Sequence, residues 1–70
     1  MTTTQKLKEA IRKVRETSTE AESEHNINCF INLYYALGEE ELHDGIATAM
    51  QDNCMEETYE DIMFYFGELS

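Results

Sequence analysis

The five basic residues of this chain, Lys6, Lys8, Arg12, Lys13 and Arg15, all lie in its first fifteen positions, and positions 16–70 hold fourteen carboxylates with no Lys or Arg. Any fold must lay that cationic segment against the acidic remainder or hold the carboxylates apart without it, at a cost in self-repulsion. The partition excludes a protein that wraps nucleic acid with its main surface, because phosphate binding runs on Lys and Arg. It equally excludes a body that lies on an anionic membrane.

The absence of proline and the presence of only three glycines, Gly38, Gly45 and Gly67, make helices the natural local structure. Leu7, Ala10, Ile11 and Val14 recur at helical spacing, so a basic amphipathic helix is expected over about residues 4–16, capped by Thr3 or Thr4. A second helix, capped by Ser18, Thr19 or, if shorter, Asn26, runs to Gly38. Its main stripe is Ile27, Phe30, Ile31, Tyr34 and Leu37, and a second stripe is Cys29, Leu33 and Ala36. Residues Glu39 to about Met50 read as a third helix with Gly45 in its middle, and Met55 to Phe66 as a fourth on the pattern Met55, Tyr59, Ile62, Met63, Phe66. Seventy residues permit one domain, 1–70, with an acidic helical body over about 19–69. The expected fold class is all-α, a compact antiparallel bundle of three to four short helices.

The longest apolar runs, Leu33–Leu37 and Ile62–Phe66, are far short of a membrane span, and no apolar stretch follows the N-terminal charges as in a signal peptide. A cytoplasmic protein with reduced, packed cysteines at Cys29 and Cys54 is expected. No phosphate loop, calcium loop or nucleophile set occurs, so no enzyme and no cofactor are expected. The sharpest catalytic alternative is a pair of Glu-x-x-His spacings, Glu22/His25 and Glu40/His43, which with Glu9 and Glu60 matches the ligand set of a di-metal carboxylate bundle. Antiparallel helices joined at Gly38 set those histidines roughly 12 Å apart along the bundle, at 1.5 Å per residue, so they do not lie level.

The carboxylates cluster as Glu20/Glu22/Glu24, Glu39/Glu40/Glu41/Asp44 and Asp52/Glu56/Glu57/Glu60/Asp61. Each cluster falls at a predicted helix start, where the macrodipole favours negative charge. That rule does not account for the missing counter-charges, since ordinary helix surfaces intersperse both signs. An uncompensated acidic face attracts a basic partner. Phe64, on the same side of the fourth helix as Glu57 and Glu60, offers it an aromatic anchor. The expected function is that of a small acidic inhibitor or regulator. Its carboxylate face, Glu56, Glu57, Glu60, Asp61 and Phe64 with Glu39, Glu40, Glu41 and Asp44, occupies the basic surface of a nucleic-acid-binding protein. Charge and size resemble the logic of phage or mobile-element counter-defence proteins of the anti-CRISPR or anti-restriction type. The alternative is a homodimeric regulatory module that pairs through the Cys29/Leu33/Ala36 face.

Overall fold

The computed structural model describes residues 2–18 and 21–69. Its first helix, α1 (Thr3–Thr17), is capped by Thr2 rather than by Thr3 or Thr4. The Thr2 hydroxyl accepts from the Gln5 backbone N–H at 3.2 Å, and the Gln5 side-chain oxygen accepts from the Thr2 N–H at 2.9 Å. This reciprocal box satisfies two of the N–H groups that a helix start leaves bare. Leu7, Ala10, Ile11 and Val14 are all buried, as the stripe requires. On the opposite, exposed side Arg12 bridges Glu9 and Glu16 within the same helix.

The second helix, α2, spans Ala21–Leu37. Of its expected caps, Thr19 lies outside the described residues, Ser18 instead closes α1, and Asn26 is inside the helix. Ile27 and Phe30 are buried, while Leu37, expected on the main stripe, is 43% exposed because the chain turns away at the next residue. Gly38 has φ 84° and ψ 178°, a backbone region open essentially to glycine alone.

The continuous third helix expected from Glu39 does not form. Glu39–Glu41 make a single 3-10 turn, and only Gly45–Asp52 is α-helical as α3. Two features account for the break. Leu42 is buried, and its carbonyl, which an unbroken helix would offer to the Ile46 N–H, accepts a 2.9 Å hydrogen bond from the Tyr59 hydroxyl. Gly45 is then the first residue of α3 rather than its middle. A Cβ there would stand 2.8 Å from Glu41 Oε2 and 3.2 Å from Glu41 Cβ, so a larger residue requires the Glu41 side chain to give way.

Past α3 the chain reverses through Cys54, whose φ of 59° is left-handed, and the Met55 N–H bonds back to the Met50 carbonyl at 2.8 Å. This is the arrangement in which glycine normally ends a helix. Cys54 is exposed there and Cys29 half-buried, so the expectation of two packed thiols holds for neither in full. The last helix, α4, spans Glu56–Glu68.

The fold class is all-α, with four short helices and no strand among the described residues. α1 runs antiparallel to both α2 and α4. Thr4 meets Tyr34 at 2.9 Å and Arg15 meets Glu24 at 2.9 Å along one side, and Lys6 lies over Phe66 on the other. The α1–α4 seam is the most extensive contact in the molecule, and α2 reaches all the other elements. Phe30, Ile27, Ile46, Met50 and Ile62 fill the centre. The radius of gyration, 11.0 Å, equals the roughly 11 Å of a closely packed chain of this length. Among the described residues no helix is long and apolar enough to cross a membrane.

Two backbone positions give predictions of opposite sign. Gly38→Ala is expected to destabilise by about 1–3 kcal/mol, since alanine is strained at that φ and ψ. Cys54→Gly is expected to stabilise by about 0.5–1 kcal/mol, the relief of a left-handed non-glycine residue less the added freedom of the unfolded chain. Chemical denaturation of both variants checks the pair.

Candidate protein-binding face

The nominated carboxylates separate into two groups by what holds them. Glu56, Glu57, Glu60 and Asp61 project from the side of α4 that α1 and the core leave open, and all four are exposed. Phe64 follows one turn after Glu60 and is 62% exposed, with Tyr65 edge-on at 5.4 Å between ring centroids. Tyr65 itself is half-buried in the α1 seam, beneath the Lys13 ammonium at 5.8 Å. Only Phe64 therefore stands out among the carboxylates; Tyr65 supports it from below.

The second group, Glu39, Glu40, Glu41 and Asp44, sits on the 3-10 turn and the reversal after it, not on a helix. Glu39 accepts a 3.3 Å hydrogen bond from the Tyr34 hydroxyl, and the Tyr34 oxygen is in turn 2.9 Å from Thr4 Oγ1. Glu41 packs against the open face of Gly45. Asp44 lies close enough to Tyr59 to act on it. Partial burial, and after it the Asp44 charge, hold the Tyr59 phenol above its ordinary pKa. Since Tyr59 belongs to α4 and binds the Leu42 carbonyl, this contact draws the second acidic group alongside the first. Asp44 thus lies beside α4, Glu40 is exposed on the turn before it, and Glu39 and Glu41 contact Tyr34 and Gly45.

One further carboxylate borders this face, from the Glu20/Glu22/Glu24 cluster that also supplies the metal alternative. Glu22 of α2 joins Glu57 and Asp61 on the walls of a polar cleft of about 360 Å³ between the start of α2 and the start of α4. Its floor includes Thr58, only 8% exposed, whose hydroxyl accepts from Asn26 Nδ2 at 3.3 Å. Nothing in the local pattern marks Glu22 or Thr58, because their proximity depends on α2 and α4 starting at the same end of the bundle.

The metal alternative finds no support in the geometry. His25 is exposed with Nε2 3.8 Å from Cys29 Sγ, and His43 is exposed on the turn before α3. Glu9 is bound to Arg12, which holds its carboxyl below the usual range, and Glu60 faces outward from α4. Among the described residues no three His, Cys, Asp or Glu side chains come together as a metal site. The homodimer stripe is also partly accounted for. Cys29 and Leu33 are half-buried and line, with Ala49, Met50 and Met55, a shallow groove where α2 meets α3.

Four of the five cations are engaged elsewhere. Arg12 pairs with Glu9 and Glu16, Arg15 with Glu24, and Lys6 and Lys13 lie over Phe66 and Tyr65. Residues 1–38 hold five bases and five acids, so the whole net charge of −10 resides in the following half. No family model, curated protein or solved structure matches this chain.

The Tyr59 tie is open to direct measurement. Its folded pKa is raised, so its contribution to stability is complete below the unfolded phenol's value of about 10 and is lost as pH rises through the folded value. Tyr59→Phe is expected to cost about 1 kcal/mol at neutral pH, the net worth of one hydrogen bond. It should also flatten the alkaline loss of stability. Asp44→Asn should shift the Tyr59 phenolate titration, followed by ultraviolet absorbance, downward towards the ordinary value.

Proposed function

We propose that this chain is a small, non-enzymatic acidic inhibitor or regulator that lays its α4 face on the basic nucleic-acid-binding surface of a partner protein. One observation carries the reading. Glu39, Glu40, Glu41, Asp44, Asp52, Glu56, Glu57, Glu60, Asp61 and Glu68 are all exposed, and none forms an ion pair among the described residues. Every recorded ion pair joins α1 to itself or to Glu24.

A surface so polarised focuses a negative field on one side, which raises encounter rates with a basic groove and repels nucleic acid itself. Glu57, Glu60 and Asp61 take the places of backbone phosphates, and Glu56, Glu40 and Asp44 widen the charged area. Phe64 supplies the desolvated anchor that charges alone do not, since rim ion pairs contribute little once screened. Inhibition follows from occupancy: a nuclease, polymerase or repressor whose groove holds this face cannot hold DNA or RNA. A cytoplasmic setting and a counter-defence role of the anti-restriction or anti-CRISPR type fit such a target by charge and size.

The test is capture on the immobilised chain at low salt, from the lysate of the organism that expresses it. The bound partner is expected to be released by rising salt and by duplex DNA. The variant Glu57→Gln/Glu60→Gln/Asp61→Asn should weaken its binding at least about tenfold, the scale of a lost charge-paired anchor cluster. A partner that binds this variant with unchanged affinity, or that binds alongside DNA, overturns the proposal.

A further inference from the structure

A trough of about 220 Å³ opens between α1 and α2, on the side of α1 away from α4. Leu7, Ile11 and Phe30, all buried, form its floor, and half-buried Ile31 forms one wall. Both ends are pinned by polar bridges, the Arg15–Glu24 ion pair at one and the Thr4–Tyr34 hydrogen bond at the other. Lys8 stands on the α1 rim and Tyr35, 71% exposed, on the α2 rim. The trough is therefore a preformed apolar slot with one cationic and one aromatic lip. An apolar cavity of about 150 Å³ holds a benzene ring, so this slot has room for one phenyl group.

The complementary shape is on the same molecule. Phe64 is a phenyl group standing free of the core, with Glu60 and Asp61 one turn before it and Glu68 one turn after. We propose that Phe64 of one copy seats in the α1–α2 trough of a second copy, with its flanking carboxylates meeting Lys8. Charge decides the orientation. A symmetric contact between two α4 faces would set carboxylates against carboxylates. A head-to-tail contact sets the acidic half of one chain on the charge-balanced half of the next, where every cation lies. Such a contact leaves one slot and one Phe64 unused at the two ends, so the association extends beyond two chains unless it closes into a ring. It also covers the α4 face. The inference thus deepens the reading of that face as a binding surface: self-association and a basic partner compete for it, and a partner that binds more tightly draws free single chains from the pool.

Two exposed substitutions separate the halves of the contact. Phe64→Ala keeps the slot and removes the ring; Lys8→Glu keeps the ring and places a repelling charge on the slot's lip. Circular dichroism confirms that each is folded, and Ile31→Glu serves as a second slot variant. In sedimentation velocity the wild type is expected to show a mass that grows with concentration, and each variant alone an association at least about tenfold weaker. An equimolar mixture of Phe64→Ala and Lys8→Glu should form a complex that stops at two chains, because only one slot and one ring remain between them. A wild type that stays monomeric at every concentration overturns the inference, as do variants that associate like the wild type or a mixture that does not combine. An association abolished by Leu33→Glu and indifferent to Phe64→Ala overturns it in favour of the α2–α3 groove. Lys8→Glu retains the α4 face, so its capture of a basic partner reports on the proposed function separately.

Discussion

The seam between α1 and α4 is the constraint from which the rest of the molecule follows. α1 carries every Lys and Arg of the chain, and it had to be placed somewhere on a body that is otherwise anionic. Its apolar stripe, Leu7, Ala10, Ile11 and Val14, is buried in the common core, and that burial rather than charge sets its position. The lysines at the edge of the seam then meet ring faces, Lys6 over Phe66 and Lys13 over Tyr65. Cation–ring contacts at exposed sites are worth about 0.5–1 kcal/mol, comparable with an exposed ion pair, so the seam loses little by leaving the α4 carboxylates alone. The result is a helix that completes the core without neutralising the face beside it.

Two tyrosines, one at each end of the 3-10 turn, hold the acid-rich segment in place. Tyr34 of α2 reaches Glu39, and Tyr59 of α4 reaches the Leu42 carbonyl. The second bond acts together with the burial of Leu42 in the core to keep Asp44 beside Tyr59 of α4 rather than further along a straight third helix. The long acidic stretch is thereby folded back against α4, and two clusters separate in sequence become neighbours on one surface.

What could be foreseen from residues alone was whatever depends on local periodicity. The α1 stripe, the turn at Gly38, the exposure of Phe64 and the extent of α4 to within two residues at its end all follow from spacing within a single segment. The interruption after Glu41 does not, because it goes with the burial of Leu42 and with a hydroxyl seventeen residues away, on Tyr59, that binds the Leu42 carbonyl. The cap of α1 lies one or two positions before the expected Thr3 or Thr4 because three consecutive threonines offer equivalent hydroxyls. Only the side chain three positions on, Gln5, distinguishes Thr2 among them. On the candidate face, the α4 residues are legible as one stripe. The inclusion of Glu22 and the diversion of Glu39 to Tyr34 were not, since both depend on which helix ends share an end of the bundle.

The structure also narrows what helix electrostatics can explain. Negative charge at a helix start is favoured within the first turn only, and in α4 that covers Glu56 and Glu57. Glu60 and Asp61 lie beyond it, and Glu68 stands at the other end, where the macrodipole opposes a carboxylate and no basic residue offsets it. Glu39–Glu41 occupy a three-residue 3-10 turn with next to no macrodipole to complement. The ten exposed carboxylates from Glu39 to Glu68 bury nothing and form no recorded ion pair, so most of them add repulsion to the folded state without stabilising it. The core does not need this feature, and helix starts account for it at only three positions, Glu56 and Glu57 of α4 and Asp44 at the start of α3. The basic partner surface proposed above, brought up against α4 with Phe64 as its anchor, would supply the attraction that offsets this repulsion.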